Sequence, residues 1–481
     1  MSAMDRLHLD GGRLVNGSGR RVRLRGVCVS GLLHLENYMV GFPGTETAMR
    51  DALAAELGAD RARMFLDRLN DAMFAEADVA YLAALGANVV RLAIGHRNLV
   101  HPSAPGVYDE VALQRIDEVL TWGERHGVYV ILDLHSAPGG QNNDWHGDNS
   151  HRHAMLWRDE SFQRQFGELW AMLAHRYRGR EVVAAFDLMN EPVSGAPLGR
   201  FGNSYAPDWG AFNAVYARLI ATVHAIDPTR IVVVEGDQWG TRFDGIDLPL
   251  ANVLFSAHHY HNSLRRSREY PAEQPDGTMW DIDLHRRLMA EHEGVRWARS
   301  RGVDLWLGEF GVGYWGGLPE SRVRALDDQL TVFEEHELHW TYWNYKDIGC
   351  AGVVHADPGS PYRQLVDPFV QIKHELSTDP SNSHFIAPDV LEALMRLADL
   401  THSRIPGATD RSGFTTFMGQ ALLVNYVAHA MQPAWARLFA GRSDDELMEL
   451  ADSFLLDRCV EEASLAAVLR HHFTRVAATP A

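Results

Sequence analysis

The chain has 481 residues, 46% hydrophobic and 22% charged, a composition that supports a large globular core. Acidic residues outnumber basic ones 63 to 45, for a formal net charge of −18. That balance disfavours a nucleic-acid or anionic-membrane partner, which selects for a basic face. Residues 1–27 hold no long apolar stretch followed by a cleavage site, and no later window is apolar enough to span a bilayer. A cytoplasmic enzyme is expected, which favours a small intracellular or imported substrate. Eight short, β-rich apolar runs follow in order, at 22–30, 87–94, 128–135, 182–190, 230–236, 253–260, 304–310 and 339–345. Their nearly continuous hydrophobicity is that of strands buried on both faces of a parallel sheet.

Amphipathic stretches separate the runs, and several end in Gly, the usual residue where a helix stops. An extra helical segment is expected at 45–75, between the first two strands. Eightfold alternation of strand and helix predicts an α/β fold, a (β/α)₈ TIM barrel with its active site at the carboxyl ends of the strands. The barrel is expected over 1–378, ending in linker chemistry at 377–389. Residues 385–481 read as a wholly helical extension rich in Leu, Met and Phe, which must bury a face. It can pack on the barrel, cover the cleft, or form the contact of a homodimer. Cys28, Cys350 and Cys459 are far apart without CxxC spacing, so no disulfide framework or thiolate zinc site is expected; Cys28 and Cys350 read as buried hydrophobes.

The polar residues gather where the strands stop. Run one leads into Glu36 and Asn37; run two carries Arg91; run three ends at His135; run four ends at Asn190-Glu191-Pro192. Run six carries His258 and Tyr260, run seven ends at Glu309, and run eight contains Trp343. In a barrel these converge on one face. Two carboxylates so placed suit glycosidic hydrolysis: one protonates the leaving oxygen, and the other attacks the sugar carbon or activates water.

These strings resemble glycoside hydrolase family five, of the large clan of retaining barrel glycosidases, over residues 20–375. LHLENY, LDLHSAPGGQN and HHYH resemble the exo-β-1,3-glucanase and β-glucosidase branches more than the endo-cellulases. The resemblance implies Glu191 as acid/base and Glu309 as nucleophile, with Arg91, His135, Asn190, His258, Tyr260 and Trp343 binding substrate. It also implies that Glu36 and an acidic residue of the third loop grip the terminal sugar, and there Asp148 is favoured over Asp144. No cofactor or metal is implied, and a small carbohydrate or glycoside is the expected partner. Physically, Glu309 is expected to raise the pKa of Glu191 while Arg91 keeps Glu309 ionised.

Each residue has a plainer reading. A carboxylate after a strand is often a helix cap, and Asn-Glu-Pro alone is a common turn. Strand-end histidines and rim aromatics, including Trp145 and Trp315, are often structural. Only the two carboxylates together, at strands four and seven, reverse those odds. The rivals are a metal-dependent hydrolase using His135, His146, His151, His153, His258, His259 and His261, a carbohydrate-binding pseudoenzyme, and a transglycosylase. Endo-β-glucanase or glycolipid glycosidase action is the alternative within the same chemistry. The first strand lacks the His-x-His pair that a metal site would favour.

Overall fold

The computed structural model describes residues 4–100, 106–196, 205–260, 269–274, 276–315, 318–378, 387–405, 414–415 and 418–474. Eight parallel strands close into a barrel: β1 (Arg25–Leu33), β2 (Val89–Gly95), β3 (Tyr129–Ser136), β4 (Val183–Asp187), β5 (Val232–Glu235), β6 (Val253–His258), β7 (Leu305–Phe310) and β8 (His339–Tyr342). Each pairs with its neighbours in sequence, and β8 returns to β1, as Trp340 opposite Arg25 and Tyr342 opposite Val27. All eight expected runs are present. Their burial on both faces explains the unbroken hydrophobicity. At Gly26 any Cβ would sit 1.7 Å from the carbonyl oxygen of Val89, so only glycine lets β1 and β2 approach there.

The surrounding helices include α1 (Glu46–Leu57), α2 (Ala59–Met73), α3 (Glu76–Leu85), α4 (Glu110–His126), α5 (Glu160–Arg176), α6 (Trp209–Ile226), α7 (Ile282–Glu291), α8 (Glu293–Arg301) and α9 (Glu320–Glu335). Local chemistry sets their ends. Asp109 caps α4 by accepting from the amides of Val111 and Ala112, and Gly127 in the left-handed region stops it. The extra segment between β1 and β2 is the pair α1 and α2.

A short hairpin pairs His8–Asp10 with Arg13–Val15 at the amino-terminal end of the barrel. Leu7 and Leu14 pack there with Val89, Ile131, Val233, Leu254 and Trp306. The expectation of a wholly helical carboxyl-terminal region is corrected. Between α13 (Asp444–Ala451) and α14 (Ala463–Phe473) lies a strand, β11 (Cys459–Glu461), antiparallel to β10 (Val354–Ala356), which pairs with β9 (Lys346–Asp347). Three residues are too few to show a period, and the open edge of β10 supplies the pairing. After α10 (Pro361–Glu375) come α11 (Pro388–Arg404) and α12 (Ala428–Ala436). Met49, Leu53, Phe65, Trp435, Phe439, Leu447 and Phe454 form one buried cluster, so the carboxyl-terminal helices share a core with α1 and α2. Phe473 stacks on Trp340 of β8 at 5.1 Å. The expected domain start at 385 and His261 lie outside the described residues. Cys28 and Cys350 are buried and unbridged. No described helix is long and apolar enough to cross a membrane.

Candidate active site

One guanidinium organises the carboxyl end of the barrel. Arg91, fully buried on β2, donates to Asp187 (2.9 Å), Glu235 (2.9 Å), Glu309 (2.6 Å) and the Asn190 side-chain oxygen (2.8 Å), and Asp133 lies at 3.2 Å. Burying so many charges is tolerable only because they satisfy one another. His258 lies among three of the acids. Its Nδ1 faces Glu191 at 2.8 Å and Glu309 at 3.6 Å, and its Nε2 faces Glu235 at 3.1 Å. Gly308 makes room for this ring, since a Cβ there would be 3.2 Å from Nε2 and 2.6 Å from the Ser256 hydroxyl.

Glu191 has a left-handed backbone, φ 47°, which a residue with a Cβ adopts only under constraint. The constraint is visible. Its amide donates to Glu235 at 2.8 Å, while Asn142 and Gln141 from the loop after β3 donate to the carbonyls of Glu191 and Asn190, each at 2.9 Å. The turn therefore aims the Glu191 carboxyl toward Glu309, and an oxygen of each lies within 4.8 Å of the other. Tyr260 donates to the second oxygen of Glu309 at 2.8 Å.

A second group of predicted residues lines the same end. His135 gives Nδ1 to Asp133 at 2.7 Å, and its Nε2 lies 3.3 Å from Asn190 and 3.5 Å from Glu36. Its ring stacks on Trp343 at 5.1 Å, and the Trp343 indole donates to the Tyr38 hydroxyl at 2.5 Å. Eight of the ten predicted site residues are thus linked through Arg91, His258 and His135. Trp343 joins by its stack, and Asp148 is placed apart. One Asp148 oxygen accepts from the Thr47 amide at 2.8 Å and the other from its hydroxyl, at the start of α1. Asp144 instead sits by the Glu191 turn: it accepts from the Trp239 indole at 2.7 Å and lies 3.7 Å from His146. Asp148 is thus engaged by Thr47, whereas Asp144 lies beside His146, which faces Glu191. Trp145 packs edge-on to Tyr38 at 6.4 Å, and Trp315 packs on His374.

Glu235, Asp133, Asp187 and Tyr38 were not singled out from sequence, and His146 was named only among the ligands of a rival metal site. Glu235 carried a signal, as it ends its strand just as Glu309 does. Asp133 and Asp187 carried another, being charges inside apolar runs.

The electrostatics correct one expectation. Burial works against ionisation of Glu191, but His146 and His258 outweigh it and hold the carboxyl below the usual range, not above it. For Glu309, burial prevails over His258 and Arg91, and the pKa is raised. The reason is geometric: the charge of Arg91 is divided among four acids, whereas Glu191 meets two imidazoles. Burial, with help from Glu309 and Glu191, pushes Glu36 up to about 8 despite His146. His146 is carried to about 9, since Glu191 and Asp144 overcome its burial.

A barrel with paired strand-end carboxylates around a buried arginine and imidazole defines a glycoside hydrolase. The family described as Cellulase (glycosyl hydrolase family 5) matches residues 64–349, and the chain belongs to that family. A β-xylosidase of Phanerodontia chrysosporium is 30% identical, the match covering 98% of this chain and 99% of that protein. A probable glucan 1,3-beta-glucosidase A of Aspergillus clavatus is 28% identical over 68% of this chain and 84% of its own. The structure titled endogalactoceramidase superposes with a TM-score of 0.50 at 21% identity, over 72% of this chain and 75% of that one. The first of these relatives matches the chain through its carboxyl-terminal helices as well as its barrel.

Proposed function

We propose that the chain is a retaining exo-β-glycosidase that removes a terminal sugar from a small β-glucoside or β-xyloside by double displacement. The observation that carries the reading is the approach of Glu191 and Glu309 oxygens to within 4.8 Å. So close an approach suits a retaining pair, whose carboxyls stand roughly 5–5.5 Å apart, better than an inverting pair at roughly 6.5–9.5 Å, where a water must fit between them. In this reading Glu309, oriented by Arg91 and Tyr260, attacks the anomeric carbon, and Glu191 delivers a proton to the departing oxygen. After the covalent sugar forms on Glu309, its charge is gone, and Glu191 takes the proton of the attacking water. Asn190 is placed to meet the 2-hydroxyl, and Trp343 offers an apolar face to the ring.

Exo action is supported by Glu36, His135, Trp343 and Tyr38, which lie buried together at the strand ends, and by the relatives named β-xylosidase and glucan 1,3-beta-glucosidase. Glucose and xylose differ only at the carbon-5 substituent, and the full-length relative named a β-xylosidase brings the second sugar into the reading. The test is a panel of aryl β-glycosides with laminaribiose and cellobiose alongside. Turnover of the aryl glucoside or xyloside supports the assignment. Activity confined to longer glucans or glycolipids would replace exo with endo action.

A further inference from the structure

A general acid must carry a proton, yet the two imidazoles hold Glu191 toward its ionised form. Its two oxygens have different neighbours. Oε1 faces Nδ1 of His258, whose other nitrogen faces Glu235, so that ring is charge-locked among three carboxylates. Oε2 faces Nε2 of His146 at 3.3 Å. His146 stands on the loop after β3, its side chain 12% exposed, and Asp144 lies 3.7 Å from the same nitrogen. Asp144 is itself fixed, by the Trp239 indole and by Arg152 at 3.5 Å. Gln238 and Trp239 are consecutive non-glycine residues with φ of 52° and 58°, and the Trp239 amide donates to the Pro192 carbonyl. Backbone held in so sparsely occupied a region points to a function for the side chain it presents. The remaining titratable groups acting on His146 come from other elements: Glu36 after β1, and the imidazoles of His34 and His135.

We propose that His146, kept charged with Asp144 beside it, stores the proton that Glu191 delivers to the leaving oxygen. The inference rests on the reading of Glu191 as acid/base. In the empty site the pair is carboxylate and imidazolium, as their opposed shifts indicate. When an aglycone excludes water, the ion pair loses its solvation, the Nε2–H bond breaks and an Oε2–H bond forms. Neutral Glu191 then gives that proton to the glycosidic oxygen as its bond to carbon breaks. In the second half-reaction the attacking water returns a proton to Glu191, and Nε2 of His146 recovers it. His146 acts through Glu191 and need not touch the sugar.

The pH dependence of kcat/KM, which reports groups of the free enzyme, tests this. Phenyl β-glucoside and phenyl β-xyloside need a proton on the leaving oxygen; the 2,4-dinitrophenyl glycosides do not. In the wild type the alkaline limb for the phenyl glycosides belongs to the Glu191–His146 pair. In His146→Gln it moves down by about one pH unit or more, while the dinitrophenyl glycosides change by less than about twofold. Asp144→Asn shifts the limb the same way by a smaller amount and keeps the test open should His146→Gln fail to fold. A limb that stays in place in both variants, or an equal loss with both leaving groups, overturns the proposal. Glu191→Gln separates the two readings: intact phenyl glycoside turnover in that variant would sink the acid/base assignment itself.

Discussion

Glu309 keeps its position through two donors from different strands, Arg91 of β2 and Tyr260 just past β6. Removing the carboxyl leaves the acid in place and opens a space where it stood. Glu309→Ala should abolish turnover, and azide should restore it as a glycosyl azide of inverted configuration, identified by NMR. Unchanged activity in that variant would end the assignment. Tyr260→Phe removes one charge-assisted hydrogen bond to the same group and leaves the fold untouched. A loss of about 10²-fold in kcat/KM is expected, the usual scale for one oriented donor in a site. Fluorescence or a thermal melt should show the variant folded as the wild type.

At the scale of elements, the strands were legible because burial on both faces writes an unmistakable apolar run. The helix ends were legible where Gly or Asp marks them. The hairpin at residues 8–15 and the strand at 459–461 were not, because their pairings are set by tertiary edges and not by local periodicity. The same distinction holds in the site. Glu191 and Glu309 follow from strand count and chemistry, whereas Asp144 and His146 depend on the path of a long loop. The hairpin makes a checkable claim. Asp304, just before β7, accepts from Arg13 at 2.8 Å, Arg21 at 3.0 Å and the Leu14 amide at 2.8 Å, and meets His339 at 3.3 Å. Burial opposes its ionisation, but these partners prevail and depress its pKa. A depressed carboxylate stabilises above its unfolded pKa, about 3.9, and that contribution disappears as pH falls toward the folded value. Asp304→Asn should therefore cost about 2 kcal/mol at neutral pH, and progressively less below about pH 4, by chemical denaturation. A difference that grows on acidification would contradict this.

For the whole molecule, the question is whether the carboxyl-terminal helices are an appendage. Trp435 packs on Phe42 at 6.1 Å, Phe439 on Phe65 at 5.1 Å, and Arg68 pairs with Asp452 at 2.5 Å. Removing residues after 378 would bare the apolar faces of α1 and α2 together with Trp340. The truncated chain should be insoluble or melt well below the full chain, which should unfold in one transition. A soluble, active barrel of 1–378 would show the extension to be dispensable. The central claim, however, concerns the two carboxylates, and the product's anomeric configuration tests it most directly. Proton NMR of an aryl β-glycoside digest, begun within the first turnovers and ahead of mutarotation, should show the β-anomer appearing first. The α-anomer appearing first would mean that water attacks directly, and that Glu309 is not the nucleophile.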